Sequence, residues 1–82
     1  MMSEEQMIER FRTILAEVAE REVPVLGPET EIRSIGVDSI AMAEVVARLE
    51  DELGIEVPAE AWLSVSTVRD LLRVATSPAP SP

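Results

Sequence analysis

Apolar residues recur along this chain at three-and-four spacing in three separate stretches, and each stretch predicts a helix. In the first, residues 4–22, Met7, Ile8, Phe11, Ile14, Leu15 and Val18 fall on one stripe with charged residues opposite. Ser3 with Gln6 has the form of a capping box, in which each side chain serves the other residue's backbone amide. Glu17 and Arg21 stand one turn apart, as an ion pair along one helix would. A second helix is expected from Asp38 or Ser39 to about Leu53, with Gly54 as its left-handed stop. Its inward stripe is Met42, Val45, Val46, Leu49 and Leu53. The last helix opens at Thr67 and Asp70, another capping pair, and turns Val68, Leu71, Leu72 and Ala75 inward.

The connections are uneven. From about Val23 to Val37 the chain is broken by Pro24, Gly27 and Pro28. So long a link between helices is expected to pack on the body, through Val25, Leu26, Ile32 and Ile35. Ile55 and Val57 carry the apolar pattern past Gly54, and Pro58 can open a short turn over Ala59–Leu63. Residues 77–82 are proline-rich and polar, a disordered tail behind one domain of residues 1–76. The fold class is therefore all-α: a small antiparallel four-helix bundle of three main helices and one short one, with a long first loop.

Composition narrows the function. Acidic residues number 16 against 7 basic ones, all arginine, for a net charge of −9. Nucleic acid and anionic membranes need a positive footprint, which this chain lacks. A basic patch on another protein is the natural counterpart. Cysteine is absent, so neither disulfides nor thiolate chemistry come from the chain itself. No basic-then-apolar leader and no apolar run of membrane length is present, so a cytoplasmic location is expected.

One serine stands out: Ser39, in Val37-Asp38-Ser39-Ile40, at the mouth of the second helix. As a nucleophile it would need a base such as histidine or lysine, and the chain has neither. The G-x-S-x-G frame of a nucleophile elbow is missing too. Without histidine or cysteine, metal chemistry reduces to loose carboxylate sites, and no metal site is expected. Free-standing enzyme activity is disfavoured. Asp38 and Ser39 are ordinary helix-capping residues, and capping alone explains most such pairs.

The surroundings of that pair carry more. Gly36-Val37-Asp38-Ser39-Ile40, the acidic run Glu50-Asp51-Glu52, Gly54-Ile55-Glu56-Val57-Pro58 and Ser66-Thr67-Val68 together closely resemble the acyl carrier protein family. The resemblance extends over roughly residues 4–75, in order and in spacing, which makes 1–76 an acyl carrier domain. It implies that Ser39 carries 4′-phosphopantetheine, transferred from coenzyme A by a phosphopantetheinyl transferase, and that acyl groups ride on its thiol as thioesters. By the same resemblance Asp38 meets the transferase or its Mg²⁺, beside its reading as a cap. A phosphodiester at Ser39 would sit at a helix N-terminus, where amide donors favour negative charge.

With the core stripe inward, the second helix leaves Ile40, Ala41, Ala43, Glu44, Ala47, Arg48 and Asp51 on its outer side. By phase alone Ile40 could join the core; by resemblance it is an exposed anchor for partner enzymes. Ala43, Glu44, Ala47, Arg48 and Asp51 complete the implied docking face, with acids meeting basic residues of acyl-loading and acyl-processing enzymes. The bland reading of those acids is a solvated face, and Glu44 can simply pair with Arg48. Ala41, where fatty-acid carriers usually place an acid, and Arg48 and Trp62, uncommon at their positions, depart from the primary fatty-acid pattern. They turn the expectation toward a discrete, monomeric carrier of polyketide or hybrid polyketide/nonribosomal peptide assembly. Primary fatty-acid synthesis, an aminoacyl or aryl starter, and an unmodified acidic helical adaptor stay open as alternatives. So does the question whether Met42, Val46, Trp62 and Val65 shelter the cargo.

Overall fold

The computed structural model describes residues 2–76. Four helices follow in order: α1 over Glu4–Ala19, α2 over Ser39–Leu53, α3 over Ala59–Trp62 and α4 over Val68–Thr76, with a single 3₁₀ turn, Ile32–Ile35, before α2. Among the described residues no strand forms; Glu31 and Thr67 make one isolated antiparallel bridge. The expected four-helix bundle is thus the architecture, and the tail expected over 77–82 lies outside the described residues.

Each long helix starts as its sequence dictates. Ser3 and Gln6 close the capping box of α1, the Ser3 amide donating to Gln6 Oε1 (2.8 Å) and the Gln6 amide to Ser3 Oγ (3.1 Å). Thr67 Oγ1 accepts from the Asp70 amide (3.1 Å), and Asp70 Oδ2 accepts from both Ser66 and Thr67 amides (3.1 Å each). The first two amides of α4 are satisfied from far away. Val68 N–H donates to Thr30 O (2.9 Å) and Arg69 N–H to Pro28 O (2.8 Å). The long first loop is thereby the cap of α4, which explains why so long a link holds one course.

The core gathers Ile8, Phe11, Ile14 and Leu15 of α1, Met42, Val45 and Leu49 of α2, and Val68, Leu71, Leu72 and Ala75 of α4. Val23, Leu26 and Ile35 of the loop join them, and Ile32 packs against the cluster half-buried. Burial of such side chains at about 1.5–3 kcal/mol each is the main term holding three helices together. Ion pairs at the surface join the same helices: Arg10 grips Glu52 of α2 with both Nε (2.6 Å) and Nη2 (2.8 Å). Arg69 of α4 pairs with Glu4 of α1 (3.2 Å).

Four expectations are corrected. α1 ends at Ala19 rather than residue 22, because Glu20 takes a left-handed conformation (φ 55°) that sends the chain back toward the core. Val25 does not pack inward; it is 88% exposed, while Val23 and Leu26 on either side of it are the residues of this stretch that reach the core. Arg21 does not pair with Glu17. It donates to the carbonyls of Ile35 (2.9 Å) and Gly36 (3.3 Å), while Glu17 turns to Arg48 (3.4 Å). The short helix stops at Trp62, one residue before the Leu63 expected to belong to it.

Candidate functional site

The chain reaches Ser39 through a sequence of enforced turns. The 3₁₀ turn ends at Gly36, whose φ of 79° is left-handed and open to glycine without cost. Arg21 holds this corner from the other side through the two carbonyls just named. Asp38 then caps α2: its backbone is extended, its Oδ1 accepts from the Ala41 amide at 2.8 Å, and its carbonyl accepts from Met42 at 2.9 Å. Ser39 is consequently the first residue of a helix of 15 residues.

That position leaves Ser39 unusually free. It is exposed, and its hydroxyl makes no hydrogen bond among the described residues. Ser34, the serine nearest in sequence, is also exposed but donates from Oγ to Glu31 O at 2.7 Å. The amides at the first positions of a helix have no backbone partner within it; that of Ala41 is met by Asp38, and those of Ser39 and Ile40 lie at the start of the helix. An added anion there meets hydrogen-bond donors and the positive end of the helix dipole. The negative Asp38 carboxylate, one residue away, works against it.

Ser39 also lines an open groove of about 800 Å³ between α2, α3 and the first loop. Its apolar lining includes Met42, Val46, Val57, Trp62, Leu63 and Val65, and Glu31, Arg33, Ser39 and Ser66 supply its polar positions. Met42 is buried, whereas Val46, Trp62 and Val65 are half-buried and pack against the core cluster. A free hydroxyl beside a groove of this size suits a tethered chain that can lie along the surface or swing away. The residues present therefore fit a phosphopantetheine arm.

The outer side of α2 is laid out as its helical phase requires. Ile40 is 84% exposed, which removes it from the core, and Ala43, Glu44, Ala47, Arg48 and Asp51 are exposed along the same helix. Arg48 reaches Glu44 (3.5 Å) one turn back and Glu17 of α1 (3.4 Å), so part of the acidic charge is answered within the molecule. The acidic run divides by role. Glu50 Oε2 accepts from the Val57 amide (2.7 Å) and so shapes the loop after α2. Glu52 is held by Arg10. Only Asp51 of the three has neither hydrogen bond nor ion pair from its side chain among the described residues. Arg21, which helix spacing sets beside Glu17, and Glu50, which the sequence places in the acidic run, are supporting residues whose roles the sequence did not assign. Their partners lie across turns, beyond the reach of helix-spacing rules.

Among the described residues no group of three or more histidine, cysteine or acidic side chains could hold a metal ion. None of their helices is long and apolar enough to cross a membrane.

Comparison with known proteins covers the same stretch. The family model described as "Phosphopantetheine attachment site" matches residues 9–75. An acyl carrier protein of Streptomyces coelicolor is 39% identical over 70 residues, covering 83% of this chain and 76% of that protein. A 3-methylorcinaldehyde synthase of a Phoma species is 33% identical over 72 residues, which are 88% of this chain but 3% of the synthase. The solution structure of MacpD, an acyl carrier protein from Pseudomonas fluorescens involved in mupirocin biosynthesis, matches with a TM-score of 0.74 at 25% identity. That match covers 94% of this chain and 77% of MacpD.

Proposed function

The chain belongs to the phosphopantetheine-binding acyl carrier protein family, and from that premise we propose that Ser39 Oγ is the tether of its 4′-phosphopantetheine arm. The observation that carries this reading is the exposed, unbonded hydroxyl at the first turn of α2, opening onto the groove. The arm supplies the thiol that a chain without cysteine lacks, and it holds acyl groups as thioesters. The chain itself contributes presentation. Gly36 and Arg21 fix the corner, Asp38 caps the helix, and Ser39 is offered to a transferase that brings the base absent here. Asp38 keeps Oδ2 unbonded in this arrangement, which suits a contact to the transferase or its Mg²⁺. The protein acts as a carrier, without catalysis of its own, among cytoplasmic enzymes.

Partner enzymes dock on the outer side of α2. Ile40 is the apolar anchor, Ala43 and Ala47 leave room around it, and Glu44 and Asp51 meet basic residues on the partner. Arg48 restrains Glu44 and so tempers that charge. A small apolar contact within a charged rim favours brief encounters, which a shuttle needs. The cargo is an intermediate of polyketide or hybrid polyketide/nonribosomal peptide assembly. That reading is supported by the likeness to a 3-methylorcinaldehyde synthase and to a carrier of mupirocin biosynthesis. Ala41, Arg48 and Trp62 favour the same direction over primary fatty-acid synthesis.

Incubation with coenzyme A and a broad-specificity phosphopantetheinyl transferase is expected to add one phosphopantetheine mass. Ser39→Ala is expected to abolish the gain while keeping the helical circular dichroism of the parent. A parent protein that stays unmodified beside an active control carrier would overturn the proposal.

A further inference from the structure

Six of the seven arginines have a partner within the molecule. Arg10, Arg48 and Arg69 are paired with glutamates of other helices. Arg12 holds Val23 O and Glu9, and Arg21 holds Ile35 O and Gly36 O. Arg73 is likewise engaged and adds its charge beside Asp70. The seventh, Arg33, makes no hydrogen bond or ion pair among the described residues. Its place is specific: it sits in the 3₁₀ turn just before α2, and it lines the same groove as Ser39.

An arginine left without a partner in a chain of net charge −9 is conspicuous, because carboxylates are everywhere at hand. Glu31 lines the groove as well, yet the two do not form an ion pair. The other polar lining, Ser39 and Ser66, is uncharged. Among the described residues Arg33 is therefore the one cation lining the groove, with the forked geometry that matches phosphate and carboxylate oxygens. Building on the tether assigned to Ser39, we propose that Arg33 is the anion-holding residue of the groove, binding an anionic group carried on the arm. Two such groups are available: the phosphodiester at Ser39 and a carboxylate on a malonyl-type cargo. Either would need a counter-charge, since Asp38 stands beside the tether and the molecule as a whole repels anions. By this contact the arm is biased toward the groove and away from solvent.

Because Arg33 is exposed and makes no hydrogen bond or ion pair among the described residues, Arg33→Gln is expected to leave folding intact and isolates its charge. The test uses the full chain converted to the holo, acetyl and malonyl forms, in the parent, Arg33→Gln and Arg33→Lys. Intact mass is read first and reports on the tether alone. Phosphorus NMR of the phosphodiester and the ¹⁵N resonance of the Arg33 side chain are read next. With the phosphodiester as ligand, the Arg33 resonance shifts on going from apo to holo, and the phosphorus resonance moves in Arg33→Gln but less in Arg33→Lys. A cargo carboxylate as ligand instead gives an Arg33 shift in the malonyl form that the holo and acetyl forms lack. Full mass gain with Arg33 unmoved in every form overturns the role of Arg33 and leaves the carrier reading standing. A missing mass gain overturns both.

Discussion

At Gly36 the backbone turns left-handed (φ 79°) two residues before the capping residue and three before the serine, so a side chain there strains the corner that leads to Ser39. Adding a Cβ in that region costs about 1–2 kcal/mol. It would also approach Arg21 Nη2 at 3.5 Å, an ordinary contact with the end of a flexible side chain. Gly36→Ala is expected to lose about that energy in urea unfolding. Gly27→Ala should stay within about 1 kcal/mol of the parent, since Gly27 has no positive φ and its Cβ would lie 3.8 Å from Thr30 Oγ1. Equal losses at both glycines would show that the strain at position 36 is not what matters. At this scale the sequence was informative where chemistry is local. Asp38 read true as a cap from its residue type, and Ile40 as outward from the resemblance, where helical phase alone left it open. Arg21 did not, because its acceptors are carbonyls 14 and 15 residues away that only the folded loop brings within reach.

Helix starts were legible because each is written in one residue and its third neighbour, as in Ser3 with Gln6 and Thr67 with Asp70. Helix ends were less so. Gly54 announces the end of α2, but α1 stops at a glutamate in a left-handed conformation, and nothing in "AEREV" signals that turn. The reason is tertiary: burial of Val23 requires the chain to reverse there, and Arg12 secures the reversal by donating to Val23 O at 3.0 Å. The capping pair of α4 has a consequence for acid stability. Hydrogen bonds from the Thr67 and Ser66 amides hold the Asp70 carboxyl below its usual pKa against an upward push from burial, with lesser help from the Thr67 side chain and the charge of Arg73. A carboxylate with a depressed folded pKa stabilises the fold above its unfolded pKa, and that contribution is lost as pH falls through the folded value. Asp70→Asn should therefore lower the thermal midpoint at pH 7. The gap to the parent should close as pH drops below about 4, the ordinary carboxylate range. A gap that stays constant down to pH 2.5 would remove the charge of Asp70 from the account.

Seen as one body, the molecule hides its apolar surface in a three-helix core and keeps Ile40 outside it, at 84% exposure. An apolar side chain with no packing duty can be changed without cost to the fold. Ile40→Asp is expected to unfold within about 0.5 kcal/mol of the parent. It should raise the KM for phosphopantetheinyl transferase about tenfold with little change in kcat, the loss of a single apolar anchor. An unchanged KM would move docking off the outer side of α2. Fold class and helix order were readable from periodicity, whereas the groove was not, since its lining comes from α2, α3 and the loops on either side of them, which only the folded chain brings together. The bundle, the left-handed corner and the groove all converge on one oxygen, and the modification proposed for it can be tested directly. Trypsin, cutting after Arg33 and Arg48, releases a peptide with two serines, Ser34 and Ser39. After reaction with coenzyme A and transferase, fragmentation of that peptide should place the phosphopantetheine on Ser39 alone, whose hydroxyl is unbonded, and never on Ser34, whose hydroxyl is committed to Glu31 O. Phosphopantetheine found on Ser34, or on any peptide other than this one, would contradict the account.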